Sequence, residues 1–390
     1  MTICILTPRF PFPENGGDVL RINNIARHLK REGHRLVLVS LCDHEHPDTV
    51  AAGQLYDAIH IVPHHWRTAA WGSLTHLLRG KPIQCGFYHS RAFVRRLREV
   101  VSYEHPDLYI AHLLRMSPYL ERLGVEAQSI VEMTDALSKT YNLCRDVKGI
   151  GIKPLIYRIE RRLIKRYEKH VSETFPKVVL VSPADIDYLK TFVSSAESLT
   201  LHTNGVDCPT LPCDIVADNN KLVFIGNMRT LQNQDAVQFF VQEVLPRLLP
   251  KYPQLRLYVV GAQPPKAIQD LTNEHVIVTG CVDDLNATIR DAAVAVAPVR
   301  IAAGIQNKVL VAMSQNLPVV MTSLIACPIP QLRDGENVLI RDTAADIAAA
   351  IDQLLTDKSL RQRIADGGHT MVEQHYSWSE KLKGIETINQ

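Results

Sequence analysis

From its first residues to its last, this chain alternates short apolar runs of strand length with amphipathic stretches of helical period, a pattern that predicts parallel sheets covered by helices. The strand-like runs fall at 2–7, 35–40, 58–62, 108–112, 129–132 and 178–182, then at 221–225, 255–261, 276–279, 294–297, 318–321 and 338–340. A turn cluster, His202-Thr203-Asn204-Gly205-Val206-Asp207, and a proline-rich stretch at 208–212 separate the two sets. The expectation is an α/β chain of two doubly wound, Rossmann-like domains, 1–203 and 204–372, with a C-terminal helix over 373–390. Ligands of such sheets lie outside the carboxyl ends of the strands, so a cleft between the domains is the expected site.

Composition narrows the function classes. At 390 residues and 46% apolar content the chain can bury two cores. No apolar run reaches the ~18 residues of a spanning helix. The start, Met1-Thr2-Ile3-Cys4-Ile5-Leu6, reads as a first strand rather than a targeting signal. Eight scattered cysteines, with no C-x-x-C pair, indicate neither a zinc site nor a disulfide framework, and a reducing cytoplasm is expected. Residues 1–200 hold 27 Lys and Arg against 21 Asp and Glu, and the remainder 16 against 20, an asymmetry that fits either an anionic partner for the first half or uneven sampling of surface charge. The basic stretches carry no helix-turn-helix signature, finger spacing or aromatic stacking platform, which argues against nucleic acid. Histidines and carboxylates show no spacing that calls for a metal.

The most informative local segment is Gly304-Ile305-Gln306-Asn307-Lys308-Val309-Leu310, between the apolar run 292–299 and Pro318-Val319-Val320. It predicts a buried strand, a loop, a glycine, and then a helix with an amide and a lysine in its first turn. Helix-start N–H groups lack internal partners and point outward with the positive end of the dipole. Gly304 permits close backbone approach, and Lys308 adds a full charge, so the segment can hold phosphate. A strand-to-helix turn with a solvated lysine is the simpler alternative.

Taken with its surroundings, this segment resembles the nucleotide-sugar site of the retaining GT-B glycosyltransferases, the glycosyltransferase group 1 or family 4-like set, and within it the exopolysaccharide-associated sugar transferases. Three further segments add to the resemblance: Asn204-Gly205-Val206-Asp207 as interdomain turn, Leu222-Val223-Phe224-Ile225-Gly226-Asn227-Met228 as first strand and loop of the second domain, and Tyr376-Ser377-Trp378 near the end. The resemblance implies an N-terminal acceptor domain, a C-terminal nucleotide-sugar domain, and a last helix crossing back to the first domain. It implies donor contacts from Gly304, Ile305, Gln306, Asn307 and Lys308, from Gly226, and from Val282 in a base-holding loop at 279–285. Where the group carries a ribose-gripping glutamate, this chain has Val311, and Ala303 stands where many relatives have another. Loss of that contact costs about 1.5–3 kcal/mol of donor binding if nothing replaces it. Asn227 and Asn233 stand where relatives place a phosphate-binding arginine and lysine, and Arg229 is either a substitute reaching the β-phosphate or an exposed arginine with no role in the site.

In the first half, Gly16 and Gly17 follow the first strand and open a helix bearing Arg21 and Asn24. The resemblance implies that the glycines face donor diphosphate or acceptor, and Arg21 and Asn24 are acceptor-side candidates. His112 and Asp135 fall at carboxyl ends of strands, where a polar group orients a sugar hydroxyl or the leaving phosphate. A histidine or aspartate at such a place also serves structure alone. The implied chemistry is sugar transfer from a nucleotide-diphosphate sugar, UDP first and GDP second, to a hydroxyl of a glycan or polyprenyl-linked acceptor, with retention and with no cofactor or metal. Lys308, Arg229, His112 and Asp135 would carry it. The second reading is a binding subunit that keeps the fold but has a weakened site, given Val311. A basic amphipathic helix over 154–173 fits either an anionic membrane surface, with peripheral attachment, or a domain-packing helix with a solvated basic face.

Overall fold

The computed structural model describes residues 1–14, 17–43, 47–143, 152–209, 217–301 and 305–388. Gly16, Ala303 and Gly304 fall outside the described residues. The chain divides into two compact units, the first formed by Met1–Asn204 with Leu382–Gln390 and the second by Gly205–Lys381.

The first unit holds a seven-stranded sheet in the order β3-β2-β1-β4-β5-β6-β7. Its strands are β1 (Thr2–Thr7), β2 (Arg35–Cys42), β3 (Ala58–Pro63), β4 (Leu108–His112), β5 (Ser129–Thr134), β6 (Lys177–Leu180) and β7 (Leu199–Leu201). Every neighbouring pair is parallel. Such strands are covered on both faces and so read as unbroken apolar runs; Ile3, Cys4, Ile5 and Leu6 of β1 are each fully buried. β7 escaped the sequence reading because Leu-Thr-Leu is short and partly exposed.

The second unit holds a six-stranded parallel sheet in the order β10-β9-β8-β11-β12-β13. These are β8 (Asp218–Ile225), β9 (Arg256–Val260), β10 (Val276–Gly280), β11 (Ala292–Ala297), β12 (Val319–Met321) and β13 (Leu339–Ile340). Two short motifs from distant parts of the sequence meet here. Val206 N–H donates to the Tyr376 carbonyl at 2.8 Å, and Trp378 N–H to the Val206 carbonyl at 3.3 Å. The Asn-Gly-Val-Asp turn and the Tyr-Ser-Trp segment are therefore the two sides of one backbone pairing.

In the first unit, helix Ile152–Thr174 turns Ile164, Tyr167 and Val171 into the apolar core, where they are 1%, 9% and 0% exposed. Packing within the domain thus occupies much of the apolar stripe that also suited a membrane surface. Among the described residues no helix is long and apolar enough to cross a membrane.

The C-terminal segment is fastened to the first unit by a buried lysine. Lys177 on β6 donates from Nζ to the carbonyls of Gly384 at 2.7 Å and Thr387 at 3.0 Å, and burial pushes its pKa down to about 8. Replacing it with methionine leaves both carbonyls without this donor, at a cost of about 1–3 kcal/mol. We expect Lys177→Met to free residues 382–388 selectively, read as faster amide exchange and carboxypeptidase trimming there while β1 and β4 keep their protection.

Candidate functional site

In each sheet the strand order reverses once, between β1 and β4 in the first unit and between β8 and β11 in the second. Helices leave toward opposite faces at such a point, which opens a crevice at the carboxyl ends of the strands. Of the sequence-selected residues, Gly17, Arg21 and Asp135 line a hollow at the first of these places, and Gly226 and Lys308 follow β8 and β11 at the second.

In the first unit a hollow of about 340 Å³ is lined by Gly17, Asp18 and Arg21 from the start of helix Gly17–Arg31, Leu113 and Arg115 after β4, and Thr134 and Asp135 after β5, among others. Leu113 and Thr134 both adopt left-handed backbone, φ 69° and 66°, which costs non-glycine residues about 1–3 kcal/mol each. The Leu113 N–H donates to the Glu132 carbonyl at 2.7 Å, so pairing between β4 and β5 helps hold this conformation.

Beneath the hollow is a charged network whose centre, Glu132, the sequence reading missed because it sits inside an apolar strand. Arg21 donates from Nε to Glu132 Oε1 at 2.7 Å, and His112 Nδ1 lies 2.7 Å from Oε2. Arg21 also reaches the Asn204 side chain at 3.0 Å and the His202 carbonyl at 2.9 Å. All three members of the core network are buried, at 0% exposure for Glu132, 1% for Arg21 and 2% for His112. Burial alone would raise the Glu132 pKa, but the Arg21 charge and the hydrogen bonds from His112 and Arg21 outweigh it and bring it down to about 2. Since a carboxylate only accepts, His112 carries a proton on Nδ1, and its buried Nε2 has no hydrogen-bond partner among the described residues. Asp135, at the outer edge, has its carboxyl raised by partial desolvation and by the carboxylates of Asp185 and Glu132.

Asn24 is buried and bonded to its own helix, donating to the Leu20 carbonyl at 3.0 Å and accepting from Arg27 at 3.3 Å. Its neighbour Asn23 anchors the loop after β1 instead, donating to the Pro11 carbonyl at 2.8 Å and to Glu14 at 3.0 Å.

In the second unit, Gly226 ends β8 and opens the loop to helix Leu231–Phe239. That loop is pinned closely to the end of β9. Gly261 has φ 152°, and a side chain there would place its Cβ 1.8 Å from the Gly226 carbonyl oxygen, so only glycine fits. Asn233, 4% exposed, donates to the Asn227 carbonyl at 2.8 Å and accepts from Lys308 Nζ. Lys308 is in the first turn of helix Asn307–Ser314, which follows β11, and its ammonium lies 5.0 Å from the centre of the Phe224 ring. It has no carboxylate partner among the described residues, and burial lowers its pKa to about 8. Arg229 is exposed nearby in sequence, with its N–H on Asn227 Oδ1 at 3.0 Å and its guanidinium in no ion pair among the described residues. Gln306 is buried, and Asn307 and Ile305 are exposed. Val311 and Val282 are half-buried against the apolar core. Among the described residues no group of three His, Cys, Asp or Glu side chains is gathered to hold a metal ion.

Residues 219–357 match a family model described as glycosyl transferases group 1. No curated protein matches by sequence. Solved structures are similar over the whole chain. The crystal structure of Anabaena HepE in complex with UDP is 15% identical with TM-score 0.61, covering 99% of this chain and 98% of that one. TarM from S. aureus, in a complex that includes UDP, is 12% identical with TM-score 0.63, covering 100% and 99%. WaaG, a glycosyltransferase involved in lipopolysaccharide biosynthesis, is 13% identical with TM-score 0.58, covering 99% and 100%.

The buried pair sets a pH dependence. A carboxyl whose folded pKa is about 2, below its ordinary 4.5, contributes stability that is complete above 4.5 and lost as pH falls toward 2. The shift corresponds to about 3 kcal/mol. Glu132→Gln removes this contribution and leaves the Arg21 charge buried without its carboxylate, so we expect a loss of about 3–5 kcal/mol at neutral pH. The Arg21→Met/Glu132→Gln double variant should recover part of it, checked by urea denaturation across that pH range.

Proposed function

We propose that this protein, a two-domain GT-B chain carrying a glycosyl transferases group 1 domain over residues 219–357, is a glycosyltransferase that moves a sugar from a nucleotide-diphosphate sugar to a hydroxyl of a glycan or lipid-linked glycan, with retention. The observation that carries the reading is Lys308, a desolvated cation with no carboxylate partner among the described residues, in the first turn of the helix that follows β11. Desolvation raises the energy of an uncompensated ammonium, and a diphosphate supplies the missing charge. HepE structures in complex with UDP and with UDP-glucose support UDP as first donor, with GDP second.

In this reaction the bond between the anomeric carbon and the β-phosphate oxygen breaks while the acceptor oxygen bonds to the same carbon. The acceptor proton goes to the departing phosphate, so no separate base is required. Negative charge grows on that phosphate, and Lys308 with the amides at the start of helix Asn307–Ser314 stabilises it, assisted by Arg229. In the first unit His112, held through Nδ1 by Glu132, orients a sugar hydroxyl with Nε2. Asp135 faces the acceptor, and Arg21 holds His112 through Glu132. Gly17, Gly226, Ile305, Gln306, Asn307 and Val282 shape the donor's surroundings.

Lys308→Ala should weaken UDP binding by about 1.5–3 kcal/mol, roughly ten- to a hundredfold, and abolish turnover of UDP-sugars. The free lysine titrates near 8 and the diphosphate raises that value. Affinity should therefore hold below that pH and fall above it, with proton uptake on binding, both read by calorimetry in buffers of different ionisation enthalpy. Binding of neither UDP nor GDP would reject the enzyme reading.

Val311 favours a second reading, a donor-binding subunit with a weakened grip, because an aliphatic side chain against the core offers the ribose hydroxyls no acceptor. On that reading Val311→Glu strengthens UDP-sugar binding at least about tenfold, the worth of one charge-assisted contact. Unchanged affinity in the same titration would reject it.

A further inference from the structure

The first unit leaves an unusual amount of apolar surface in solvent on one helical hairpin. On helix Trp66–Leu78, Trp71 is 69% exposed, Leu74 47% and Leu78 78%, three positions on one face by helical spacing. Trp66 at the helix start is 72% exposed, and Phe87 at the end of the next helix, Ile83–Phe87, is 40% exposed. The other face of the first helix is fixed in place. A Cβ added to Gly72 would lie 2.2 Å from the Gly86 carbonyl oxygen, so the two helices touch backbone to backbone. The exposed side chains therefore stand on a rigid base.

Beside this hairpin is a basic surface. The His76 ring lies 5.4 Å from that of His89, and Arg122 donates to His89 Nε2 at 3.3 Å. Arg122 in turn lines a hollow of about 550 Å³ with Arg91, Arg95 and Arg98, which share one face of helix Arg91–Glu104, and with Val94 and Glu99. Those three arginines make no ion pair among the described residues, whereas Arg96 on the neighbouring face pairs with Glu99 at 2.9 Å. Between Asp57 and Glu99 the sequence carries seven lysines and arginines and no acidic residue.

We propose that this surface docks the protein on an anionic lipid bilayer, with Trp66, Trp71, Leu74 and Leu78 at the boundary of headgroups and acyl chains and the arginine hollow on lipid phosphates. Exposed tryptophan and leucine flanked by uncompensated arginine match the chemistry of that boundary, where an apolar body and an anionic plane lie within a few ångströms of each other. A second copy of the chain is a poorer occupant, because it would bring one predominantly basic surface, four arginines to one glutamate in the hollow, against another. The site differs from helix Ile152–Thr174, whose apolar residues Ile164, Tyr167 and Val171 are buried in the core.

The test is flotation of the full chain with vesicles of phosphatidylcholine alone, and with phosphatidylglycerol as about a third of the lipid, at low and high salt. Binding is expected only with the anionic vesicles and should weaken in salt. Tryptophan emission should shift to the blue on binding; Trp378, 6% exposed, is the remaining fluorophore and stays buried throughout. Trp71→Ser/Leu78→Ser should reduce partitioning at least about tenfold. Arg95→Glu/Arg98→Glu should reduce it more than about twenty-fivefold, since each basic residue near the surface contributes about a fivefold change. Both variants should keep the parent's far-ultraviolet dichroism and its affinity for UDP, a control independent of Lys308. Failure to float with anionic vesicles, equal flotation with neutral ones, or variants that float like the parent would overturn the proposal. So would a concentration-dependent dimer in sedimentation that Trp71→Ser/Leu78→Ser dissolves, because the occupant would then be a second copy.

Discussion

A parallel sheet wound outward in both directions from its middle has one place where successive helices part to opposite faces, and there the backbone cannot cover the strand ends. In this protein each unit has one such place, beside β1 and β4 or beside β8 and β11. Polar side chains that would be costly inside the flanking layers are tolerated at these ends, where the sheet stops and loops begin. The depth of the crevices sets the dielectric those groups experience, and so the strength of each charge in them.

The two crevices treat charge in opposite ways. Under the first-unit hollow, Glu132 is matched by Arg21 and by a hydrogen bond from His112, so the network is complete apart from His112 Nε2. That pairing places a proton on Nδ1 and fixes the orientation of the histidine ring. In the second unit Lys308 has an amide and an aromatic ring for company and, among the described residues, no carboxylate. The unpaired ammonium costs stability in the absence of an anion, in the manner of a site kept ready for ligand at the expense of the fold. Leu113 and Thr134 add backbone strain at the same kind of place, the carboxyl ends of β4 and β5.

Most of the sheet architecture was legible because buried parallel strands leave continuous apolar runs, as in the six buried residues of β11. The Lys308 segment was legible for a similar local reason: a strand, a loop and a helix start follow one another in sequence. The Glu132 network was not. An acid within an apolar strand carries no local mark of its partners, and Arg21 lies 111 residues away from it. Asn23 and Asn24 show the same difficulty at shorter range, since adjacent amides on one helix hold different things, a loop in one case and the helix itself in the other. Amphipathicity misleads in a related way. Helix Ile152–Thr174 has the stronger pattern, yet its Ile164, Tyr167 and Val171 enter the core, whereas helix Trp66–Leu78 has a weaker one and leaves two tryptophans outside.

The sequence by itself determined that the chain forms parallel sheets flanked by helices and that a lysine follows a strand at the start of a helix. These are properties of periodicity and of neighbours along the chain, which backbone geometry turns directly into structure. Only the tertiary structure decided that Glu132 joins Arg21 to His112, that Lys308 is half-buried without gaining a carboxylate among the described residues, and which apolar helix face stays in solvent. Burial and pairing depend on residues distant in sequence, and a charge takes its pKa from whatever the fold places within a few ångströms of it.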